Sequence, residues 1–390
     1  MSQTPQEHYM QRCLELAANG LREAMPNPSV GAVLVYESRI IGEGHTSPFG
    51  GPHGEVNCLN SVSEEDRHLI PQSTLYVSLE PCSHYGKTPP CCDLIIKNEI
   101  QNIIIGCVDP NEKVAGNGIR KLNEAGKNVI VGILEKECRE FNRRFFTFHE
   151  KQRPYIILKW AESADGFLSP SDRLLDSPKT DNSIVGFLDS STDPSNRTIE
   201  QSNNRTIEEK KPVWITNKYS RQLVHKWRSE EMAILVGTQT VLDDNPSLDV
   251  RSWSGQSPVR IVLDRTNRIS DEYSVKNLKI KSIFLTETSN LPNLDTLLYE
   301  SIAFDDKLPK NISNVLYKHN LQSVIIEGGR QTLQTFIDAN LWDEARVFKG
   351  TVNFHDGTPA PQFVAQPIHR EMILDDELII YRNYGEGNNI

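Results

Sequence analysis

No apolar run in this sequence reaches the ~18 residues that a membrane span requires. The opening residues, MSQTPQEHYMQRCLELAANG, lack the basic, apolar and small-residue regions of a secretion signal. These absences point to a soluble, cytoplasmic protein with no membrane partner. Positive charge is not in excess either: the 390 residues carry a net -10, divided as -5 in residues 1–150 and -5 in residues 151–390. Neither half offers a basic platform for a phosphate backbone, so no nucleic-acid partner is expected. Tryptophan is missing before residue 160 and cysteine after residue 138, so all seven cysteines fall on one side of residue 150 and all five tryptophans on the other. That asymmetry predicts two domains, 1–150 and 151–390, with different work to do. An odd cysteine count in a long intracellular chain argues for reduced thiols or metal ligands over a disulfide framework.

What is present is alternation. Short β-branched runs at 30–36, 74–79, 102–106 and 128–133 are separated by helical stretches beginning near His53, Cys91, Gly118 and Glu135. This pattern predicts an α/β domain with a largely parallel sheet, whose ligands bind at the C-terminal ends of strands. A second alternating series starts at Pro154, with strands expected at 154–163, 213–216, 232–237, 259–264, 282–286, 323–329 and near 345–350 and 377–384. Within it lies a polar tract, 169–211, containing the near-duplicates NRTIEQ and NRTIEE. Such a tract cannot bury a core and reads as an insertion. Met10, Cys13, Leu14, Ala17 and Leu21 recur at helical spacing near the start.

The chemistry sits at the strand ends. GGPHGEVNCL follows the first strand and LEPCSHYGKTPPCC the second, and each runs into an expected helix. His53, Cys82 and Cys91 can therefore converge near two helix N-termini, where partial positive charge favours thiolates. One imidazole and two thiolates make three zinc ligands and leave the fourth tetrahedral position for water, the open arrangement of a catalytic site. Glu55, two residues beyond the histidine, is placed to take a proton from that water and return it to a leaving amine. An H-x-E followed by P-C and a second cysteine is the signature of zinc nucleobase deaminases, stretched here by eight residues between Cys82 and Cys91. A fourth ligand, Cys92 or Cys58, would instead make the site structural, although a structural site has no use for the glutamate. Cys13, Cys107 and Cys138 lie in apolar patterns and read as small buried hydrophobes.

Pro26-Asn27-Pro28, Gly42-Glu43-Gly44-His45, His53-Gly54-Glu55 and the run Glu80 to Cys91, continued by Asp109-Pro110-Asn111 and Val114 to Gly118, together resemble the deaminase half of the bifunctional riboflavin-biosynthesis deaminase/reductase family. The long cysteine spacing is that family's own. The resemblance implies a cytidine-deaminase-like α/β/α domain. The same resemblance implies as substrate a diaminopyrimidinone bearing a phosphoribosylamino group, and as products the pyrimidinedione and ammonia. Lys87 and His84, between the two cysteines, suit the 5'-phosphate, and Asn27 and His45 suit the base or ribose. The family usually has alanine where this chain has Gly54.

Residues 154–384 resemble the reductase half, which implies a dihydrofolate-reductase-like α/β fold and NADPH as cofactor. The match is carried by Lys159, Ser163, Asp165-Gly166, Trp214-Ile215-Thr216, Arg228, Thr240 to Pro246, Leu248, Arg251, Val262-Leu263-Asp264 and Glu327-Gly328-Gly329. Independently of the family, SVIIEGGRQTL reads as a strand passing through two glycines into a helix, where free amides can cradle a phosphate. The resemblance implies NADPH contacts at Ala161, Trp214, Thr240, Asp244 and the turn at Gly329. It implies substrate contacts at Arg228, Leu248, Arg251 and Glu327, with the arginines suited to phosphate. Lys159 is a candidate for polarising or protonating the sugar. Trp160, Trp227 and Trp342 read as core.

Two departures stand out. Pro212 occupies the place of a substrate-touching serine, and Phe348 to Thr351 replaces a more apolar strand ending. They leave open a deaminase whose second domain is a binding or oligomerisation module without reductase activity. A nucleic-acid deaminase with an accessory domain is opposed by the acidic balance. A homo-oligomer is expected from the family alone.

Overall fold

The structure is a computed structural model that describes residues 4–86, 89–111, 115–171 and 214–385. Lys87, Pro212 and all of the polar tract beyond residue 171 lie outside the described residues.

The first sheet has the order β2-β1-β3-β4-β5, with β1 Gly31–Tyr36, β2 Arg39–His45, β3 Thr74–Leu79, β4 Asn102–Cys107 and β5 Asn128–Val131. It is mixed, which corrects the expectation of a largely parallel sheet: β1 runs antiparallel to both β2 and β3, and only β3, β4 and β5 run parallel. The overlooked strand is β2. Its sequence, RIIGEGH, hides the strand period behind two glycines that serve packing. Helix α2 (Gly54–Asn60) lies so close that a Cβ at Gly44 would fall 2.3 Å from the Cys58 amide nitrogen, and one at Gly42 2.6 Å from the Cys58 carbonyl.

Helix α1 (Pro5–Ala18) begins with a capping box between Thr4 and Glu7 and buries Met10, Cys13, Leu14 and Ala17. Gly31 lets it lie on β1, because a Cβ there would meet the Cys13 carbonyl at 1.8 Å. Helices α3 (Cys91–Lys97), α4 (Asn117–Glu124), α5 (Glu135–Phe141) and α6 (Arg143–Lys151) follow. One apolar cluster, running from Met10 to Phe146, takes in Cys13, Cys107 and Cys138, all fully buried.

The second sheet has nine strands in the order β11-β10-β9-β8-β12-β6-β13-β16-β15. The ranges are β6 Tyr155–Glu162, β8 Ala233–Gly237, β9 Val259–Leu263, β10 Ser282–Thr286, β11 Leu297–Ser301, β12 Ser323–Ile326, β13 Glu344–Lys349, β15 Pro367–Ile373 and β16 Asp376–Arg382. Seven strands, from β11 to β13 along the sheet, run parallel; β16 and β15 form an antiparallel hairpin at the edge. A short pair, β7 (Phe167–Pro170) with β14 (Gly357–Pro359), stands apart. Helices α7 (Lys218–Glu230), α8 (Thr238–Asp244), α9 (Leu308–Lys318) and α10 (Arg330–Asp338) complete this half.

Residues 214–216, expected as a strand, belong to none. They lead instead into Asn217, whose side chain caps α7 by accepting from Tyr219 and Ser220 and donates to the Ile373 carbonyl. The core of this half contains Trp160, Trp227 and Trp342, each under a tenth exposed, as expected. No helix among the described residues is long and apolar enough to cross a membrane.

Candidate active sites

The first site lies beyond β3 at the start of α2 and α3. His53 is the N-cap of α2, held extended after the turn that the Gly51 amide closes on the Pro48 carbonyl, and Cys91 is the first residue of α3. Cys82 lies on the loop leaving β3 and accepts the Cys91 amide at 3.3 Å. His53 Nδ1 is 3.5 Å from Cys82 Sγ and 3.4 Å from Cys91 Sγ, and the three donor atoms lie within 4.8 Å of one another. Zinc–ligand bonds of ~2.1 and ~2.3 Å at a tetrahedral angle would put nitrogen and sulfur about 3.6 Å apart. The donor set therefore fits zinc in both identity and spacing.

The Cys91 thiol, hydrogen-bonded to Cys82, leads His53 and the Cys91 amide in holding the Cys82 thiol down at about 4 against its burial. The same hydrogen bond holds Cys91 up. Among the described residues no fourth ligand joins the group. Cys92 turns away to the Pro81 and Gly118 carbonyls, and Cys58 is buried in the apolar cluster. A position is thus left open for water.

Glu55 is buried, 3% exposed, and lies within hydrogen-bonding reach of the Cys91 thiol. Burial first, and then the Cys82 charge, pushes its carboxyl up. A carboxyl so placed can hold a proton between two transfers. His45 ends β2 beside the start of α2, and its carbonyl accepts from Asn57 of that helix at 2.7 Å. Asn27 is half-buried on the loop before β1, and His84 is exposed beyond Cys82. Gly54 permits a closer approach than alanine would, since a Cβ there would lie 2.5 Å from the Val30 carbonyl oxygen.

Glu80 is the residue whose task the sequence reading missed. Its buried carboxylate accepts four amides: Gly118 at 2.8 Å and Ile119 at 3.2 Å on one oxygen, Gly116 at 2.9 Å and Asp109 at 3.2 Å on the other. It thereby fastens the loop after β4 and the start of α4 against Pro81 and Cys82. Gly118 closes the fit, as a Cβ there would sit 2.1 Å from the Pro81 carbonyl oxygen. The signal was a glutamate inside an otherwise apolar strand end, which needs donors if buried.

The second site lies at the C-terminal ends of β6, β8 and β12. Lys159 on β6 and Glu327 at the end of β12 approach to 3.9 Å, and Arg228 of α7 holds Glu327 at two points, 2.7 and 3.2 Å. Burial opposes the charge on Glu327, but Arg228 and Lys159 bring its carboxyl down to about 2. Lys159 is lowered by its own burial, against the pull of Glu327. Arg228 thus spends its Nε and one amino group on Glu327.

Nearby, Thr240 of α8 accepts the Gly329 amide at 3.1 Å, which locks the start of α8 to the glycine turn before α10. Gly328 admits nothing larger, its Cβ position being 2.9 Å from Thr332 Cβ, and Arg330 Nε is buried without a partner. A narrow glycine turn at the start of a helix fits the phosphates of a dinucleotide. Trp214 is 60% exposed with the Arg221 guanidinium 4.6 Å over its ring, Asp244 is exposed at the end of α8, and Ala161 is half-buried on β6. Arg251 is exposed. Leu248 is 2% exposed and packs with Val241 and Val275, so its side chain belongs to the core and only its backbone is left for a ligand. At the strand ending that departs from the family, Phe348 is buried and stacks on Trp227 at 5.4 Å, and Gly350 makes room for the Ile215 carbonyl.

Comparison with known proteins matches residues 3–107 to the cytidine and deoxycytidylate deaminase zinc-binding region and residues 205–352 to the RibD C-terminal domain. The riboflavin biosynthesis protein RibD of Aquifex aeolicus is 35% identical over 88% of this chain and 86% of its own length. That of Escherichia coli K12 is 34% identical over 88% and 86%. The crystal structure of a Thermotoga maritima diaminohydroxyphosphoribosylaminopyrimidine deaminase/5-amino-6-(5-phosphoribosylamino)uracil reductase superposes with a TM-score of 0.79 at 32% identity, covering 97% of this chain and 99% of that one.

Proposed function

Since the chain belongs to the RibD family of riboflavin biosynthesis proteins, we propose that its two sites act in turn on one phosphoribosyl pyrimidine. It is a bifunctional enzyme, a zinc-binding deaminase joined to a reductase. In this reading the deaminase half is residues 1–150 and the reductase half residues 151–390, a division that falls at the end of α6.

In the first half, His53, Cys82 and Cys91 hold zinc, which when bound lowers the pKa of a coordinated water towards ~7. Glu55 takes the proton from the attacking water as its oxygen bonds to the ring carbon bearing the exocyclic amine. It then passes that proton to the amine, which leaves as ammonia when the C–N bond breaks. The substrate is 2,5-diamino-6-(5-phosphoribosylamino)pyrimidin-4-one; Asn27 and His45 contact its base or ribose, and His84 and Lys87 its phosphate.

In the second half the coarse requirement is a nicotinamide cofactor, and our reading is NADPH. Bound at Ala161, Trp214, Thr240, Asp244 and Gly329, it supplies the hydride that turns the ribosyl group into a ribityl chain. Lys159 and Glu327 present a charged pair to the sugar, with Lys159 donating to its oxygen. Arg228 keeps Glu327 ionised and oriented, Arg251 meets the phosphate, and Leu248 offers only backbone. Cytoplasmic residence and assembly as a homo-oligomer belong to the same reading.

The observation that supports the deaminase most is the His53–Cys82–Cys91 spacing beside a buried Glu55. A second domain that merely binds is not favoured, because the RibD C-terminal match spans the glycine turn and the Lys159–Glu327–Arg228 cluster is intact. The test supplies the deaminated phosphoribosyl substrate and follows nicotinamide absorbance with NADPH and NADH in parallel. Oxidation of NADPH in preference to NADH is expected. No oxidation of either, with ammonia release normal in the same sample, would refute the reductase assignment.

A further inference from the structure

His225 lies one helical turn before Arg228 on α7, so the two side chains leave the helix on the same side. They converge on one atom. His225 Nδ1 is 3.0 Å from the Asp249 carbonyl oxygen, and the Arg228 guanidinium is 3.4 Å from that same oxygen. The Asp249 carboxylate in turn holds the Arg251 guanidinium at 2.6 Å. The turn they hold is unusual, because Leu248 adopts φ +52°, a left-handed conformation that strains a bulky side chain. It persists only if its surroundings over-determine it, and the Leu248 side chain in the core, the Ser257 hydroxyl on the Val250 amide and the two donors on Asp249 do so. His225 is 6% exposed, and burial, aided by Arg228 and Arg251, pushes its imidazole below the ordinary range. It is therefore neutral near pH 7. The Arg251 amide also points at Nδ1, at 3.4 Å, but the shorter 3.0 Å contact is to a carbonyl oxygen, which only accepts, and makes Nδ1 the protonated, donating nitrogen.

We propose that His225 is a positioning residue of the reductase: its Nδ1–H on the Asp249 carbonyl holds the Leu248–Arg251 turn in the shape that presents Arg251 to the substrate's phosphate. The inference rests on the reading of Arg251 as a phosphate contact.

The test uses the full-length, zinc-loaded enzyme. NADPH oxidation is followed with the deaminated phosphoribosyl substrate and with its dephosphorylated counterpart, for the wild type, His225→Leu, His225→Asn and Arg251→Ala. Asparagine carries a donor nitrogen on Cγ, where histidine carries Nδ1. His225→Leu is expected to raise KM for the phosphorylated substrate about tenfold, the loss of roughly one hydrogen bond, with little change in kcat or in KM for NADPH. His225→Asn should restore most of that loss, and on the dephosphorylated substrate the variants should match the wild type. If Arg251→Ala leaves KM unchanged, the phosphate reading falls and the inference with it. If Arg251→Ala raises KM and His225→Leu does not, only the role of His225 falls. A loss shared by both substrates, or one that asparagine does not rescue, also overturns it, since that is how a merely structural residue behaves.

Discussion

The Arg144 guanidinium meets the Glu231 carboxylate at two points across the boundary between the two sheets, with Nε to Oε2 at 2.7 Å and both side chains almost wholly out of water. Arg144 comes from α6, and Glu231 is the C-cap of α7. Around them, Arg346 and Tyr155 hold Glu344, Arg382 reaches Glu140, and Gln322 donates to the Pro26 carbonyl. Of these, the Arg144–Glu231 and Arg382–Glu140 ion pairs and the Gln322–Pro26 hydrogen bond run between the two halves.

Removing one member of the Arg144–Glu231 pair leaves the other charge buried and unpaired. Arg144→Met or Glu231→Leu alone should destabilise the chain by about 3–5 kcal/mol, and the double substitution by much less. Denaturation midpoints of the three variants check this. Comparable losses in singles and double would refute the coupling.

Glu55→Gln keeps the shape and the neighbouring ligands but cannot shuttle a proton. Ammonia release should fall by at least about a hundredfold, while zinc content and NADPH oxidation on the deaminated substrate stay at wild-type levels. Metal analysis and the two assays on one preparation decide it; unchanged ammonia release removes the shuttle role.

Glu80 satisfies four backbone amides. Each amide left buried without an acceptor costs about 1–3 kcal/mol. Glu80→Ala should therefore lower the unfolding midpoint and quicken zinc loss to a chelator, with Glu80→Gln milder because it keeps one acceptor oxygen. A Glu80→Ala enzyme with wild-type stability and zinc retention would contradict the clamp.

Glu327 has a folded-state pKa of about 2, below its ordinary 4.5. A carboxyl depressed by folding contributes stability above its unfolded value. That contribution is lost as pH falls through about 4.5 towards 2. The stability difference between wild type and Glu327→Gln should therefore be constant above pH ~5 and shrink below it. Unfolding measured across this range tests the sign; a difference that grows on acidification would contradict it.

Most strands were readable because β-branched runs such as Thr74–Leu79 and Ser282–Thr286 are buried on both faces. The misses have physical reasons. β2 spends its glycines on admitting α2, and β15 is an edge strand whose mostly exposed residues follow no burial period. Residues 214–216 look β-prone, but Asn217 takes the backbone into a helix cap instead. The zinc ligands were legible because the chemistry demands particular side chains at particular strand ends. Glu80, His225 and Asp249 were not, because their partners are 29 to 39 residues away for Glu80 and 24 away for His225 and Asp249.

By itself, then, the sequence supplied the residue types on which each proposed chemistry rests: His53, Glu55, Cys82 and Cys91 for the deaminase, and Lys159, the glycine turn and Glu327 for the reductase. Identity and local spacing suffice for that, since ligand type and proton affinity belong to single side chains. Tertiary structure alone decided how those groups are used. Arg228 serves Glu327, Leu248 belongs to the core, and the charges of Arg144 and Glu231 join the two halves. A long polar side chain can meet any of several partners, and only folding, by excluding water and bringing distant strand ends together, selects one.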